Sequence, residues 1–289
     1  MNAPSRAHTG FVTAAALVAF ASNSILCRLA LSRGEIDPAT FTTVRLVSGA
    51  VVLGIVAATR TPRGRTAGGN WGSATALAVY AIAFSFAYVT LPAGIGALLL
   101  FGAVQATMIL AALFTGERTS RQEWIGLAAA LGGLVYLVLP GLAAPPPTGA
   151  TLMIAAGAAW GVYTLRGRRS AEPVLATTGN FVRSAPLAVA VSAAVALSGV
   201  TARATAVGVA LALASGVLAS GFGYVLWYTA LRHLTAVRAA TVQLVVPVLG
   251  AFGGVVLLDE SFSLRLAVAS VLILGGVAFA LGRPARGQL

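Results

Sequence analysis

Charge is scarce in this chain. Of 289 residues, 9% are Asp, Glu, Lys or Arg, where a soluble domain carries about 25%. With 58% apolar residues and a mean hydropathy of +0.91, this excludes an ordinary water-soluble globule and a disordered chain. Lysine is absent altogether, since all 19 basic residues are Arg. That excludes a retinal Schiff base, a pyridoxal aldimine and a Walker-type phosphate lysine. One cysteine, Cys27, excludes an intrachain disulfide and leaves the compartment unmarked. Two histidines, His8 and His233, lie in the N-terminal tail and in a loop, and the seven acids fall at the ends of apolar runs. No metal-ligand spacing, Gly-x-Ser-x-Gly elbow or phosphate loop accompanies them. An intramembrane enzyme, or a pump with a carboxylate relay, needs such groups within its spans. The sequence therefore reads as neither an enzyme nor a metal or cofactor protein.

What is present is a series of uncharged runs. Residues 9–27 form the first, ended by Arg28. A membrane span fits them better than a cleaved signal over residues 1–26, because further apolar runs follow directly. The second run is 38–59, with Arg45 inside it. Residues 66–116 hold no charge and are long enough for two spans, divided at Leu91-Pro92-Ala93-Gly94. Residues 124–165 hold two more, divided between Leu139-Pro140-Gly141 and Pro145-Pro146-Pro147. A seventh, interrupted by Arg183 and Pro186, starts near Pro173, and the rest cover about 205–231, 236–258 and 266–281. The expected fold class is an all-α membrane protein of ten transmembrane helices. Placing the N-terminus inside puts 13 arginines on the cytoplasmic side and three (Arg33, Arg203, Arg265) outside. This positive-inside split predicts a multi-pass bacterial inner-membrane protein with both termini cytoplasmic. It also explains the net charge of +12 without a nucleic-acid partner.

The chain repeats itself. Glu117 and Gly132-Gly133 align with Glu260 and Gly275-Gly276 at an offset of 143, which also sets Phe84 on Trp227. Nearer the start of each half the offset is 140 for Phe20 and Trp160, and 138 for Arg45 and Arg183. The expected units are 1–144 and 145–289, five helices each. An odd count requires the second copy to be inserted upside down, the signature of alternating-access transporters with a solute site at the repeat interface.

Several motifs resemble the EamA-type branch of the drug/metabolite transporter superfamily. They are Phe20-Ala21-Ser22-Asn23, against that family's Trp-Gly-Ser-Asn, and Phe114-Thr115-Gly116-Glu117-Arg118. The second half adds Ala159-Trp160-Gly161-Val162-Tyr163, Trp227-Tyr228-Thr229-Ala230-Leu231, and Pro247-Val248 followed by Leu257-Leu258-Asp259-Glu260. Their order across both halves carries the likeness. Val104-Gln105 departs from it, standing where the family pattern has proline. The resemblance implies export of a small organic metabolite, an amino acid or related compound. The alternative from another class is a membrane sensor or assembly subunit without transport. Expected partners are a small-molecule substrate and the lipid bilayer, with a homodimer left open.

Candidate substrate-binding residues are Asn23, Arg45, Phe84, Gln105, Trp160, Tyr163, Tyr224, Trp227 and Gln243. Phe20, Asn23 and Cys27 share one helical face, as do Trp160 and Tyr163, and Tyr80, Phe84 and Tyr88. Gln105 and Gln243 are amides in apolar runs, which need partners in lipid. Arg45 and Arg183 are costly inside a bilayer, about 2.5–3.5 kcal/mol on insertion scales. They read either as snorkelling or packing side chains or as attractors of an anionic solute. Small-residue stripes at Gly208, Ala212, Gly216 and Ser220, at Gly157 and Gly161, and at Gly250 and Gly254 predict close helix packing. Pro247 predicts a kink.

Overall fold

Helix-favouring Ala and Leu, broken by Pro, Gly and capping residues, produce an almost wholly helical chain in the computed structural model. It describes residues 6–60, 68–91, 93–116, 119–138, 146–258 and 264–281. The elements are α1 (Arg6–Ser32), α2 (Pro38–Arg60), α3 (Trp71–Ala87), α4 (Ala93–Phe114), α5 (Arg121–Val138), α6 (Pro147–Gly167) and α7 (Pro173–Leu197). Then come α8 (Ala206–Ala214), a π-helical segment (Ser215–Phe222), α9 (Gly223–Leu231), α10 (Ala236–Gln243), α11 (Val245–Leu258) and α12 (Leu264–Leu281). Among the described residues there is no strand, only an isolated antiparallel bridge between Ile36 and Ala204.

Local chemistry sets the boundaries. Asn70, Thr205 and Thr235 cap α3, α8 and α10 by accepting from the backbone N–H of Ser73, Gly208 and Arg238. Pro147 and Pro173 open α6 and α7, where a missing N–H costs nothing. Gly34, Gly116 and Gly199 take positive φ just beyond α1, α4 and α7. The seventh span, interrupted in sequence by Arg183 and Pro186, is a continuous 25-residue helix.

Two departures from regular helix matter. The segment over 205–231 runs without a break from α8 to α9, but its middle is π-helical. The segment over 236–258 is broken at Leu244. Pro247 has no N–H for the Gln243 carbonyl, and its ring crowds that carbonyl. The matching stretch of α4, with Val104-Gln105 in place of proline, continues unbroken from Ala93 to Phe114.

Apolar side chains both fill the core and cover the outside. Large apolar side chains such as Val51, Ile55, Leu113, Phe114 and Val271 face outward. Arg45, Asn23, Gln105, Asn180 and Gln243 are buried. Five helical stretches, Ala7–Ser32, Pro38–Thr59, Pro147–Gly167, Pro173–Leu197 and Ala206–Leu231, are long and apolar enough to cross a membrane.

Helices from before residue 139 pack chiefly on helices from after residue 146. The main pairs are α5 with α12, α3 with α6 and α7, α2 with α7, α4 with α6, and α1 with α9. Glycines permit the closest approaches. A Cβ on Gly126 would overlap the Gly276 carbonyl, one on Gly157 the Leu100 carbonyl, and one on Gly161 the Thr107 side chain. Gly216 likewise admits the Arg45 backbone of α2. Gly250 is different, because nothing lies within 4 Å of a Cβ built there. On the same helix Gly253 faces Ile25, and the surroundings of Gly254, the other member of that stripe, lie outside what the structure describes.

Candidate functional site

Aromatic side chains from α1, α3, α6 and α9 converge at the centre. Phe20 on α1 meets Trp160 on α6 edge-on at 5.1 Å and Trp227 on α9 at 5.6 Å. Trp160 in turn meets Tyr80 of α3 and Tyr224 of α9, each at 4.9 Å. Tyr80 and Phe84, one turn apart, pack at 5.5 Å. Such edge-on and tilted pairs are the favoured aromatic arrangements.

Polar groups in this cluster are tied by specific bonds. Trp160 Nε1 donates to Gln243 Oε1 at 2.6 Å. Gln243 Nε2 reaches the Ala239 carbonyl and Met108 Sδ. Ser215 donates to Asn23 Oδ1 at 2.6 Å. Arg45 Nε donates to Ser220 Oγ at 2.8 Å, and its Nη2 to Tyr224 Oη at 2.6 Å.

Between these side chains lies a crevice of about 30 Å³, lined by Phe20, Asn23, Ser24, Tyr80, Phe84, Leu100, Phe101, Trp160, Gln243 and Val246. It has room for a water molecule and is far too small for an organic solute. Of the sequence candidates, Asn23, Phe84, Trp160 and Gln243 line it directly. Tyr224, Trp227 and Tyr163 form a layer behind Trp160 and Phe20. Gln105 is not on the crevice wall; its Nε2 ties α4 to the Ala240 carbonyl at 2.7 Å.

Arg45 and Arg183, paired by the sequence repeat, occupy unlike surroundings. Arg45 is fully buried among tyrosines. Arg183 Nη1 donates to the carbonyls of Gly68 and Gly179, a helix-stapling role. Glu117, Asp259 and Glu260, the acidic parts of two sequence motifs, lie outside the described residues, as does the linker over 139–145.

Ser215 and Asn180 were not singled out from sequence, and Ser220 was read there only as part of a packing stripe, yet all three hold or line the site. Ser215-Gly216 recurs as Ser220-Gly221, a spacing of five. That is the hydrogen-bond step of a π-helix, and it was the available signal. In the π segment one serine meets α1 and the other α2, while Gly216 leaves room for the Arg45 backbone and Gly221 for the Val52 and Leu53 side chains.

A second cavity, about 950 Å³, is walled by the starts of α3 and α7, the ends of α4, α6 and α9, and the loops after α6 and α9. Asn70, Asn180, Tyr228 and four arginines (Arg166, Arg168, Arg169, Arg232) line it. Arg166 is held by Ser73 Oγ and Asn70 Oδ1. Tyr228 donates to the Tyr163 carbonyl, and the two rings pack at 5.1 Å. Tyr163 leads on to Trp160 and Tyr224. Thus a stack of aromatic rings separates the wide vestibule from the narrow crevice.

At the other end, the α1–α2 and α7–α8 loops are joined. Asp37 N donates to the Arg203 carbonyl at 2.8 Å, and Arg203 N donates back to Asp37 Oδ2 at 3.1 Å. Thr205 bonds Glu35 through both backbone and side chain. Asp37 also caps α2 by accepting from Thr40 N. Burial raises the Asp37 carboxyl, but these donors outweigh it and hold the group below its ordinary value.

Comparison with known proteins agrees with this architecture. The model of the EamA-like transporter family matches residues 9–139 and 147–282. An uncharacterized protein of Pseudomonas aeruginosa is 50% identical over 282 residues, covering 96% of this chain and 97% of that one. A protein of Streptantibioticus cattleyicolor named a probable terminal-alkyne amino-acid exporter is 31% identical over 61% of this chain and 60% of its own. An uncharacterized transporter of Archaeoglobus fulgidus is 27% identical over 70% of this chain and 72% of its own. A solved crystal structure superimposes with a TM-score of 0.81 over 98% of this chain and all of the other, at 20% identity, which establishes likeness of fold. With both stretches of the chain matched, the protein belongs to the EamA-like transporter family.

Proposed function

We propose that the chain exports a small organic metabolite, an amino acid or related compound, across the inner membrane by alternating access. Ten spans would form two oppositely inserted five-helix repeats, 1–144 and 145–289, with both termini cytoplasmic. The observation that carries this reading is the origin of the crevice wall. Phe20, Asn23, Tyr80, Phe84 and Phe101 come from the first half, and Trp160, Gln243 and Val246 from the second. A site walled by both repeats can open to either side as they rock.

The arginine-lined vestibule would be cytoplasmic by the positive-inside rule. In this conformation the crevice is closed, the vestibule is open, and the Glu35–Asp37 and Arg203–Thr205 segments are joined at the far end. Solute would enter the crevice when the Tyr228–Tyr163–Trp160 stack parts, and leave when the far latch separates. Asn23, Arg45, Phe84, Trp160 and Gln243 would contact it, with Tyr163, Tyr224 and Trp227 behind them. Gln105 would keep α4 and α10 in register. The terminal-alkyne amino-acid exporter among the relatives supports the amino-acid class.

Metabolite profiling of cells with and without the protein, followed by radiolabel efflux from proteoliposomes, tests the reading. Flux is expected to fall at least about tenfold in Trp160→Ala and Gln243→Ala. Absence of flux for every compound whose level shifts would favour a sensor or assembly subunit instead.

A further inference from the structure

Among the described residues, Arg45 carries a charge that its neighbours do not explain. It is 0% exposed, and a guanidinium keeps its proton at every physiological pH. All its hydrogen-bond partners among the described residues are neutral. Nε is held by Ser220 at 2.8 Å and Nη2 by Tyr224 at 2.6 Å and Tyr80 at a long 3.5 Å. Its Cζ lies 5.3 Å from the Tyr80 ring centroid, within cation–π range. Nη1 is buried and has no hydrogen-bond partner.

Stapling α2 to the π segment accounts for Nε and Nη2. It does not account for a cation. Neutral groups can hold two helices together without the desolvation cost of a full charge. Half-buried arginines are satisfied differently: Arg183 holds two carbonyls, Arg168 donates to the Leu234 carbonyl, and Arg238 pairs with Glu123 at 2.7 Å. Among the described arginines, Arg45 alone combines full burial, a neutral shell and a bare N–H pair.

We propose that Arg45 receives the carboxylate of the transported solute through Nη1, with Tyr80 as a displaceable shutter. This rests on the reading of the crevice as the solute site. The Tyr80 ring lines the crevice and also lies against the guanidinium. Its hydroxyl makes the longest of the three Arg45 bonds, so it is the partner most easily exchanged. A carboxylate entering the crevice displaces that hydroxyl from Nη2, reaches the bare Nη1 beside it, and gains charge-assisted hydrogen bonds in a site of low dielectric. Its apolar body then rests on Phe20, Phe84 and Trp160. The solute class is a small monocarboxylate with an apolar or aromatic body, amino acids included. The vestibule adds a positive field that concentrates anions near the aromatic stack. Its arginines have a topological explanation already, so they assist this assignment without carrying it.

Isothermal titration of the purified full chain in detergent, with benzoate against benzamide, tests it. The two probes share a ring and differ in charge. Benzoate is expected to bind at least about tenfold more tightly. R45Q should bring the ratio close to one, whereas R169Q and R232Q should leave it intact. Y80F keeps the ring, removes the competing hydroxyl and should tighten benzoate severalfold; this arm stands even where R45Q does not fold. Equal affinity for the two probes, no binding of either, a preference that survives R45Q, or a preference lost with Arg169 or Arg232 overturns the assignment. Efflux of a metabolite without any benzoate preference removes the carboxylate site and leaves transport standing. An Arg45-dependent preference without flux does the reverse.

Discussion

Trp160 and Gln243 are joined indole to amide at 2.6 Å, linking α6 to the last residue of α10 just before the break at Leu244. Both are buried, so neither can exchange the bond for bulk water. Trp160→Phe strands the Gln243 oxygen at a cost of about 1–3 kcal/mol. Adding Gln243→Leu to that variant removes the stranded group and should recover part of the loss. Thermal unfolding of the two single variants and the double in one detergent measures the coupling. Strictly additive losses would show that the bond contributes nothing beyond packing.

Pro247→Ala restores an N–H facing the Gln243 carbonyl and relieves the ring's clash with it. Helix α10 can then continue into α11. The expected result is a protein at least as stable as wild type that transports more slowly, because a break that must flex has been splinted. Unchanged flux alongside unchanged stability removes the hinge role.

Part of the fold was legible because apolar helices announce themselves by missing charge. The run 66–116 holds α3 and α4, and its divider begins at Leu91, between the end of α3 at Ala87 and the start of α4 at Ala93. The aromatic faces were legible too, since residues three, four or seven apart on a helix share a side whatever surrounds them. Three features were hidden for physical reasons. The π segment depends on hydrogen-bond register, which hydropathy does not encode; only the Ser-Gly spacing of five hints at it. The contrast between Arg45 and Arg183 depends on neighbours from other helices, and repeat alignment treats the two as equals. Gln105 and Gln243 read alike as buried amides, yet Gln243 lines the crevice while Gln105 fastens a carbonyl outside it. Sequence identified which side chains need partners. Tertiary packing decided who the partners are.

The small-residue stripes separate into contacts that matter and positions that do not. Gly216→Ala would push a methyl into Ser48 and the Arg45 backbone. An overlap with backbone that cannot swing aside costs about 1–3 kcal/mol, and displacement of Arg45 should also reduce flux. Gly250→Ala meets nothing within 4 Å. It should be neutral or raise stability by up to about 1 kcal/mol through helix propensity. Comparing the two unfolding temperatures tests the assignment, and equal destabilisation would contradict it.

The joined loops at the far end make the protein acid-sensitive in a defined direction. Asp37 is held below its ordinary value by Thr40 and Arg203, despite a burial effect in the opposite sense. A carboxyl depressed in the folded state stabilises above its unfolded pKa, and that contribution is lost as pH falls through the folded value. The latch should therefore be intact at neutral pH and weaken below about pH 4. Asp37→Asn keeps the shape, removes the charge and puts an amide donor in place of one of the two oxygens that accept from Thr40 N and Arg203 N. It should lower the unfolding temperature at pH 7 and flatten its decline on the acid side. If alternating access requires this latch to part, the variant should also shift cysteine labelling at position 36 or 204 toward greater reactivity in the Ile36→Cys or Ala204→Cys background. Identical pH profiles for wild type and Asp37→Asn would mean that the carboxylate contributes no net stability, leaving the Ile36–Ala204 bridge and the Thr205–Glu35 side-chain bond to hold the loops.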